Sequence, residues 1–217
     1  MRAVKRIAHV IWDWNGTLLD DAELCVDVMN GVLAKRKLPP ITAERYAHQF
    51  RFPVRDYYAD LGFDFDREPF ELIGTEFIEG YAAREASCDL RAGARASLEG
   101  LAARGLRQSV LSASEQARLE KQARRLDVHA HFEALVGLDD HYAASKVEVG
   151  HRWMERSRVD PRLTVLIGDT DHDVEVARAL GVQCLLVPSG HQSQARLEQS
   201  GVEVLPTLTT LLEVLSR

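Results

Sequence analysis

Four short stretches of this sequence carry side chains that could act on an anionic group. The first, Asp13-Trp14-Asn15-Gly16-Thr17, follows a run of apolar residues. The Asp13 carboxylate could attack phosphorus, and Gly16 lets the chain bend so that backbone amides face an anion. Asn-Gly is also a strong hairpin signal. However, the residues after Thr17 become acidic and helical, which disfavours a second strand.

The richest stretch is Gly168-Asp169-Thr170-Asp171-His172-Asp173, after another apolar run. Asp169 and Asp173 are four residues apart, so one helical turn places them on a common face, where their oxygens can hold a hard cation. Acidic residues also cap helix N-termini. Three acids in five residues exceed what capping needs, so the pattern favours a metal site.

Two single residues complete the set. Ser112 ends an apolar run, and its hydroxyl together with the next amide, that of Ala113, could hold a phosphate oxygen. Lys146 stands at the start of a predicted helix and could neutralise both a phosphate and an attacking carboxylate. Alone, a serine after a strand is usually a turn or cap residue and a lysine is usually solvated. Ser112 and Lys146 are therefore candidates for the site only because the two aspartate-containing stretches accompany them.

Hydrophobic periodicity predicts the elements that position these residues. The predicted strands are Ile7–Trp12, Gln108–Ser112, Ala134–Gly137, Leu163–Gly168, Gln183–Val187 and Glu203–Leu205. The predicted helices between them are Ala94–Arg104, Glu115–Leu126, Lys146–Arg156 and Asp173–Leu180. Gly105 and Gly181 stand where left-handed C-caps are wanted. Residues 22–85 show helical spacing throughout, with apolar stripes at Leu24, Val28, Leu33 and at Phe70, Ile73, Phe77, Tyr81.

This order predicts an α/β fold, a Rossmann-like parallel sheet with helices on both faces and an inserted α-helical cap domain. We predict a core domain of residues 1–20 and 88–217 and a cap domain of residues 21–87. Ligands of open α/β sheets bind outside the carboxyl ends of the strands. The four stretches all fall at such ends, so the topology predicts that they converge.

Composition limits the classes of function. The chain has 217 residues, 46% hydrophobic and 28% charged, with a formal net charge of -6. Without a basic excess it is not expected to bind nucleic acid. Three scattered cysteines suit neither a disulfide framework nor a zinc site. The basic start, Met1–Arg6, precedes an apolar run too short for a signal peptide, and no stretch approaches a membrane span. We therefore expect a cytoplasmic monomer or homodimer with a small phosphorylated metabolite as its ligand.

In their order and spacing, the four stretches resemble the haloacid dehalogenase superfamily. Its phosphatases carry an Asp-x-Asp-Gly-Thr motif, a Ser or Thr, a Lys and a Gly-Asp-x-x-x-Asp motif. Asp13–Thr17 with the following Leu18-Leu19-Asp20, and Gly168–Asp173 with the following residues 174–178, are the specific matches. The resemblance covers the whole chain and is strongest to the phosphoglycolate phosphatase-like group.

This resemblance implies a Mg²⁺-dependent phosphatase. Asp13 would be the nucleophile and would form an aspartyl-phosphate that water hydrolyses. Ser112 and Lys146 would bind the transferring phosphoryl group, beside Gly16, Thr17 and Ala113. The ligands of Mg²⁺ would be Asp13, the carbonyl of Asn15, Asp169 and Asp173.

The sequence departs from the phosphatase pattern at Asn15, where the family has the acid that protonates the leaving group and activates water. That role typically contributes about 10² to 10⁴ in rate. The chain could be a slow phosphatase or one for good leaving groups, with His172 or a cap residue supplying the proton. It could be a phosphonatase-like carbon-phosphorus hydrolase with Lys35 or Lys37 as the Schiff-base lysine.

Further alternatives are a non-catalytic phosphate-binding regulatory protein, and creation of the missing acid by deamidation of Asn15, since Asn-Gly pairs are labile. A true dehalogenase is disfavoured because it would leave Asp169 and Asp173 without a purpose. Arg51 and Arg55, among aromatic residues in the predicted cap, are candidates to bind a second anionic group of the substrate. The histidines, including His191, show no metal-ligand spacing and are expected in loops or at the surface.

Overall fold

The computed structural model describes residues 7–138, 145–188 and 190–215. Eight strands lie in this part of the chain: β1 His9–Trp12, β2 Leu19–Asp20, β3 Asp89–Leu90, β4 Arg107–Glu115, β5 Ala134–Leu138, β6 Thr164–Gly168, β7 Gln183–Leu186 and β8 Glu203–Val204. The helices are α1 Ala22–Lys35, α2 Ala43–Gln49, α3 Val54–Asp60, α4 Phe70–Ala82, α5 Ala94–Ala103, α6 Gln116–Arg125, α7 Lys146–Ser157, α8 Asp171–Leu180, α9 Gln194–Leu197 and α10 Leu211–Val214.

Six strands form one parallel sheet in the order β5-β4-β1-β6-β7-β8. β1 lies at the centre, with Val10 paired to Gln108 of β4 on one side and to Val165 of β6 on the other. Strand order reverses at β1, which is where open α/β sheets bind ligands. The predicted α/β fold with a parallel sheet covered on both faces is confirmed.

Alternating side chains of the central strands pack on opposite faces of this sheet. Val10 and Trp12 belong to one buried cluster with α1, α5 and α6, whereas Ile11 belongs to a second with α7 and α8. In β6, Val165 joins the first cluster and Leu166 the second. Strands buried on both faces are mostly apolar, and β1 and β6 are apolar except at their first residues, His9 and Thr164, which are buried as well.

The segment that carries helices α1 to α4 is flanked by a two-stranded ribbon, in which β2 pairs antiparallel with β3. The predicted stripes are largely buried: Leu33 and Ile73 are fully enclosed, and Tyr81 is buried beside the sheet. These helices lie at the carboxyl ends of the strands. The division into domains at residues 20/21 and 87/88 stays a prediction.

All six predicted strands of the main sheet form, within a few residues of the expected bounds. Gly105 and Gly181 have φ of +74° and +70°, as their predicted C-cap positions require. The ribbon strands β2 and β3 were not predicted, because two residues carry no periodicity. The basic start Met1–Arg6 lies outside the described residues. Within the described ranges no helix is both long and apolar enough to cross a membrane.

Candidate active site

The carboxyl ends of three adjacent strands bring the predicted residues together. Asp13 follows β1, Ser112 lies in β4, and Asp169 follows β6. The backbone N–H of Asp13 donates to the carbonyl of Ile167 at 2.8 Å, which fixes the loop after β1 against β6. Residues far apart in the chain therefore meet at the switch point of the sheet.

Three buried carboxylates form the centre of the site. One oxygen from each of Asp13, Asp169 and Asp173 lies within 4.8 Å of the other two. Lys146, 5% exposed, donates from Nζ to Oδ1 of Asp13 at 2.5 Å and to Oδ1 of Asp173 at 2.6 Å. The lysine is thus bound to two acids of the cluster instead of being solvated.

Thr17 joins the first loop to the Asp169 side of the cluster. Its hydroxyl lies 2.8 Å from Oδ1 of Asp169 and 3.2 Å from Oδ2 of Asp13. The other oxygen of Asp169, Oδ2, accepts from the backbone N–H of His191 at 2.5 Å. These bonds orient the two carboxylates before any ligand binds.

Helix termini hold the remaining members. At the start of α8, Oδ2 of Asp173 accepts from the backbone N–H of Thr170 at 3.1 Å and from its hydroxyl at 2.8 Å, while Oδ1 faces Lys146. Asp173 therefore caps its helix and also joins the cluster. Asp171 does neither, since its carboxylate pairs with Arg196 at 2.7 Å.

The electrostatics of the cluster follow from its burial. Burial raises the pKa of Asp13 to about 7, with the nearby Asp173 and Asp169 acting in the same direction and Lys146 opposing them. Burial likewise raises the pKa of Asp169. Burial disfavours the charged form of Asp173 as well, but the charge and hydrogen bond of Lys146 lower its pKa below the usual range. The same two acids raise the pKa of Lys146 against the effect of its burial.

Gly16 is required by both conformation and space. Its φ is +73°, and a Cβ added there would stand 2.4 Å from Oδ2 of Asp169 and 2.6 Å from the ring of His191. Any side chain at this position would displace the Asp169 carboxylate. The glycine of the first motif thus serves close approach between two loops.

The donor set fits a divalent cation. Three carboxylates and one ammonium carry a formal charge of −2, and every candidate ligand atom is an oxygen. Hard oxygen ligands in this number suit Mg²⁺, which keeps several waters. Burial and the repulsion between neighbouring carboxylates raise the pKa of Asp13 and Asp169. A divalent cation bound to these oxygens would offset that repulsion.

The Asn15 side chain is fully hydrogen-bonded. Its Nδ2 donates to Oδ2 of Asp21 at 2.6 Å and to the hydroxyl of Tyr81 at 3.2 Å, and its Oδ1 accepts from the hydroxyls of Ser114 at 2.7 Å and Ser112 at 3.5 Å. The amide therefore uses both donor and acceptor functions, which a carboxylate could not reproduce.

Sequence reasoning missed a second buried cluster beside the first. His191 was expected in a loop or at the surface, but it is 7% exposed, and its Nε2 lies 3.4 Å from Oδ1 of Asp21. Its Nδ1 lies 2.8 Å from the hydroxyl of Tyr46. Although burial opposes protonation, Asp21 raises the pKa of His191 to about 9. The sequence shows an acidic pair at Asp20-Asp21, but nothing in the spacing links Asp21 to a histidine 170 residues away.

A cavity of about 350 Å³ opens over the cluster, between the helices α1 to α4 and the strand ends. Asp13, Ala113, Lys146 and Asp169 line its polar end. Its remaining wall is mostly aromatic and aliphatic. The helices are fastened over it, because the carbonyl of Phe50 accepts from Gln192 at 3.0 Å and from Arg196 at 2.7 Å.

Four basic residues considered for the site lie elsewhere. Arg51 is at the surface and bonds Asp60 at 2.9 Å, and the guanidinium of Arg55 lies 5.0 Å from the ring centre of Phe65. Neither lines the cavity, because acidic and aromatic neighbours of the same helical region bind both. Lys35 pairs with Glu76, and Lys37 is exposed; neither of them lines the cavity.

A family model of haloacid dehalogenase-like hydrolases matches residues 10–187. The chain therefore belongs to this family of hydrolases, most of them phosphatases, and the predicted membership is confirmed. The tyrosine-protein kinase PtkA of Mycobacterium tuberculosis is 26% identical over 207 residues, which cover 94% of this chain and 70% of that protein.

Solved structures have the same fold. That of the M. tuberculosis Protein Tyrosine Kinase A superposes with a TM-score of 0.82 at 25% identity, over 98% of this chain and 100% of that one. A haloacid dehalogenase-like family protein of Streptococcus pneumoniae gives 0.83 at 20%, over 96% and 98%. A protein of Haemophilus somnus described as a predicted phosphoglycolate phosphatase gives 0.76 at 14%, over 97% and 98%. The last two show likeness of fold alone.

Proposed function

We propose that this chain is a Mg²⁺-dependent phosphatase for a small phosphate monoester, acting through an aspartyl-phosphate on Asp13. One observation carries the proposal: Asp13, Asp169 and Asp173 converge within 4.8 Å around the ammonium of Lys146. Phosphoryl transfer needs positioned charge more than covalent assistance. In the proposal, Asp13 is the nucleophile, Lys146 is the cation for the phosphoryl oxygens, and the three carboxylates are metal ligands of one buried site.

In the proposed reaction, a carboxylate oxygen of Asp13 attacks phosphorus in line with the leaving oxygen. Lys146 holds Oδ1 of Asp13 and offsets its repulsion from the anionic substrate. Ala113, which lines the cavity, would bind a phosphoryl oxygen; the predicted contacts of Ser112, Gly16 and Thr17 would need these residues, which do not line it, to become accessible. Asp13, the carbonyl of Asn15, Asp169 and Asp173 would hold the cation, which supplies charge neutralisation when bound. Water then cleaves the aspartyl-phosphate.

Asn15 limits this chemistry. An amide neither protonates a leaving group nor activates water, and each oxygen and nitrogen of this amide is already hydrogen-bonded. The proposed enzyme therefore turns over more slowly than a site with the acid, by about 10² to 10⁴. A leaving group that needs no proton relieves the first step, and hydrolysis of the aspartyl-phosphate stays slow. The carbon-phosphorus alternative lacks support, since neither Lys35 nor Lys37 lines the cavity.

The test is a phosphatase assay with and without Mg²⁺, on acetyl phosphate and a panel of phosphorylated metabolites, combined with mass spectrometry of acid-quenched protein. We expect a phosphoryl group on Asp13, and a loss of at least about 10³-fold in kcat/KM for Asp13→Asn. Asp66→Asn, at an exposed turn carboxylate, is the matched control and should retain full activity. Turnover that survives in Asp13→Asn would overturn the covalent scheme.

The non-catalytic alternative makes the opposite forecast for the same assay. A regulatory protein would bind phosphate compounds with wild-type residues and release no inorganic phosphate. If the wild type is inert and Asn15→Asp gains turnover, this alternative is favoured over the phosphatase.

A second candidate activity is phosphoryl transfer to a tyrosine hydroxyl. Its support is the likeness to the tyrosine-protein kinase PtkA over 94% of this chain, together with Asn15, which leaves an aspartyl-phosphate poorly supplied with activated water. Incubation with radiolabelled ATP and a tyrosine-containing peptide tests it. Label on the peptide that disappears in Asp13→Asn would support transfer, and release of phosphate alone would exclude it.

A further inference from the structure

The wall of the cavity that faces away from the acids is apolar and rich in aromatic rings. It is built from helices α1 to α4 and their connections, and includes Met29, Phe50, Val54, Tyr58, Phe77 and Ile78. Rings in contact line it, with Tyr58 and Phe77 centroids 6.4 Å apart and Phe77 and Tyr81 stacked at 6.4 Å. Binding of a flat apolar group against such a wall is favoured by the burial of apolar surface, whereas a short polar group has no such surface to bury.

The basic side chains near this wall are engaged by the protein itself. The guanidinium of Arg118 lies over the ring of Tyr81 at 5.7 Å and its Nη1 lies 3.5 Å from Oε2 of Glu85, although its buried Nε has no hydrogen-bond partner among the described residues. His172 stacks on Phe52 at 4.4 Å and bonds Glu175. Lys146 faces the acids at the other end of the cavity. A second carboxylate or phosphate placed against the aromatic part of the wall would therefore lack a cation among the described residues, whereas Arg118 could meet such a group only at the edge of the wall.

The chemistry at the polar end points to the same kind of substrate. Asn15 provides no proton, so the leaving oxygen must depart as an anion. Phenols ionise with a pKa of about 10, several units below alkyl alcohols, so a phenolate leaves without protonation. The missing acid and the aromatic wall are independent observations, and an aryl phosphate satisfies both.

We infer that the substrate class is an aryl phosphate, a phosphate monoester of a phenol whose ring fills the aromatic wall while its phosphoryl group meets Asp13. This inference rests on the proposed phosphatase function and deepens it. The Asp13 oxygen forms a bond to phosphorus, the bond from phosphorus to the phenolic oxygen breaks, and its electron pair leaves on the phenolate. Water then forms inorganic phosphate, frees Asp13 and passes its protons to the phosphate and the phenolate.

Four substrates separate ring recognition from leaving-group ability. 1-Naphthyl phosphate and acetyl phosphate both have good leaving groups, but only the first has a flat ring. Cyclohexylmethyl phosphate and phosphoglycolate both have poor leaving groups; the first is bulky and apolar, and the second is small and carries a carboxylate. We expect 1-naphthyl phosphate to have a KM about 10-fold or more below that of acetyl phosphate, since its ring buries apolar surface that acetyl phosphate lacks. Cyclohexylmethyl phosphate should bind but turn over at least about 10²-fold more slowly.

Two substitutions on α4 provide a matched pair. Ile78→Gln places an amide in the apolar wall, whereas Leu72→Gln changes a residue that is 60% exposed and outside the cavity. We expect Ile78→Gln to lower kcat/KM for 1-naphthyl phosphate about 10-fold more than that for acetyl phosphate. Leu72→Gln should leave the ratio unchanged. An equal effect of Ile78→Gln on both substrates, or no preference for the naphthyl ester in the wild type, would overturn the inference.

Two further arms keep the outcomes separate. If no ester is turned over and Asp13 stays unmodified, the phosphatase proposal fails. Calorimetric binding of 1-naphthyl phosphate against phosphoglycolate to the Mg²⁺-loaded protein then decides the pocket chemistry by itself, and equal or weaker binding of the aryl ester rejects it. A phosphotyrosine peptide compared with phenyl phosphate distinguishes a protein-borne phenol from a free one; preference for either supports the aryl class, and rejection of both opposes it.

Discussion

The amide nitrogen of Asn15 lies 2.6 Å from Oδ2 of Asp21, and this contact joins the loop after β1 to the start of α1. Asp21 is 1% exposed and also accepts from the hydroxyl of Tyr81 at 2.7 Å and from the backbone N–H of Gly16 at 2.9 Å. The site has an amide where the family's phosphatases have an acid, and a buried acid six residues later.

We predict that Asn15→Asp is destabilising because it sets two carboxylates against each other in a buried place. An unpaired buried charge costs roughly 3 kcal/mol, and the new acid must either carry it or take up a proton. In urea unfolding at pH 8, Asn15→Asp should lose stability of that order. Asn15→Asp combined with Asp21→Asn should lose at least about 1 kcal/mol less than the sum of the single variants. Strict additivity would contradict direct coupling between the two side chains.

A second prediction concerns the chemical stability of Asn15. Deamidation requires the backbone nitrogen of Gly16 to attack the side-chain carbonyl carbon of Asn15. That N–H donates to Oδ1 of Asp21 at 2.9 Å and to the carbonyl of Leu19 at 3.0 Å, and the amide itself is bonded on both sides. Peptide mapping should therefore find residue 15 wholly amide in folded, active protein. Protein held unfolded in urea is the positive control. Conversion in the folded protein would restore the deamidation hypothesis.

Much of this site follows from the sequence because strand ends converge by topology. A buried parallel strand is an apolar run, so its end is visible, and residues just past β1 and β6 must meet at the switch point. Asp13 and Asp169 were predictable on that basis. Asp21, His191 and Tyr46 were not, since their contact depends on how helices α1 and α2 settle against a loop after β7. Periodicity assigns a buried face to a helix but not the partner that covers it.

The cavity wall illustrates the same limit. Arg51 and Arg55 were candidates to bind a second anion because they stand among aromatic residues in the sequence. The aromatic residues do line the cavity, but the arginines do not: Arg51 bonds Asp60, and the guanidinium of Arg55 lies over the ring of Phe65. Sequence proximity over a few residues does not show which side of a short helix faces the ligand.

A third prediction compares two buried tyrosines. Tyr57 is 1% exposed, and its hydroxyl has no hydrogen-bond partner among the described residues. Tyr46 is also buried, but its hydroxyl bonds Nδ1 of His191 at 2.8 Å. Tyr57→Phe should leave the free energy of unfolding unchanged or raise it by up to about 1 kcal/mol, whereas Tyr46→Phe should lower it by roughly 1–2 kcal/mol. Urea unfolding of both variants measures this, and equal losses would show that the Tyr57 hydroxyl is bonded in solution.

The last prediction concerns the acid side of the stability profile and rests on His9. This residue is buried in β1, with Nε2 3.0 Å from the hydroxyl of Ser109 and Nδ1 without a partner among the described residues. Burial lowers the pKa of His9 to about 4, and the charge of Arg107 acts in the same direction against that of Glu133. In the unfolded chain the pKa of His9 is about 6.5. Between about pH 4 and 6.5, His9 is therefore protonated in the unfolded chain and neutral in the folded chain. Stability from His9 is therefore complete above pH 6.5 and is lost as the pH falls through 4.

After a discount for solvent screening, this loss is about 2 kcal/mol. The difference between wild type and His9→Gln isolates the contribution of this residue from those of the other titratable groups. That difference should shrink as the pH falls from 7 to 4 in urea unfolding series. His151→Gln, at an exposed position on α7, should show no such trend. A constant difference across the range would mean that His9 has the same pKa in the folded and the unfolded chain, and would contradict the prediction.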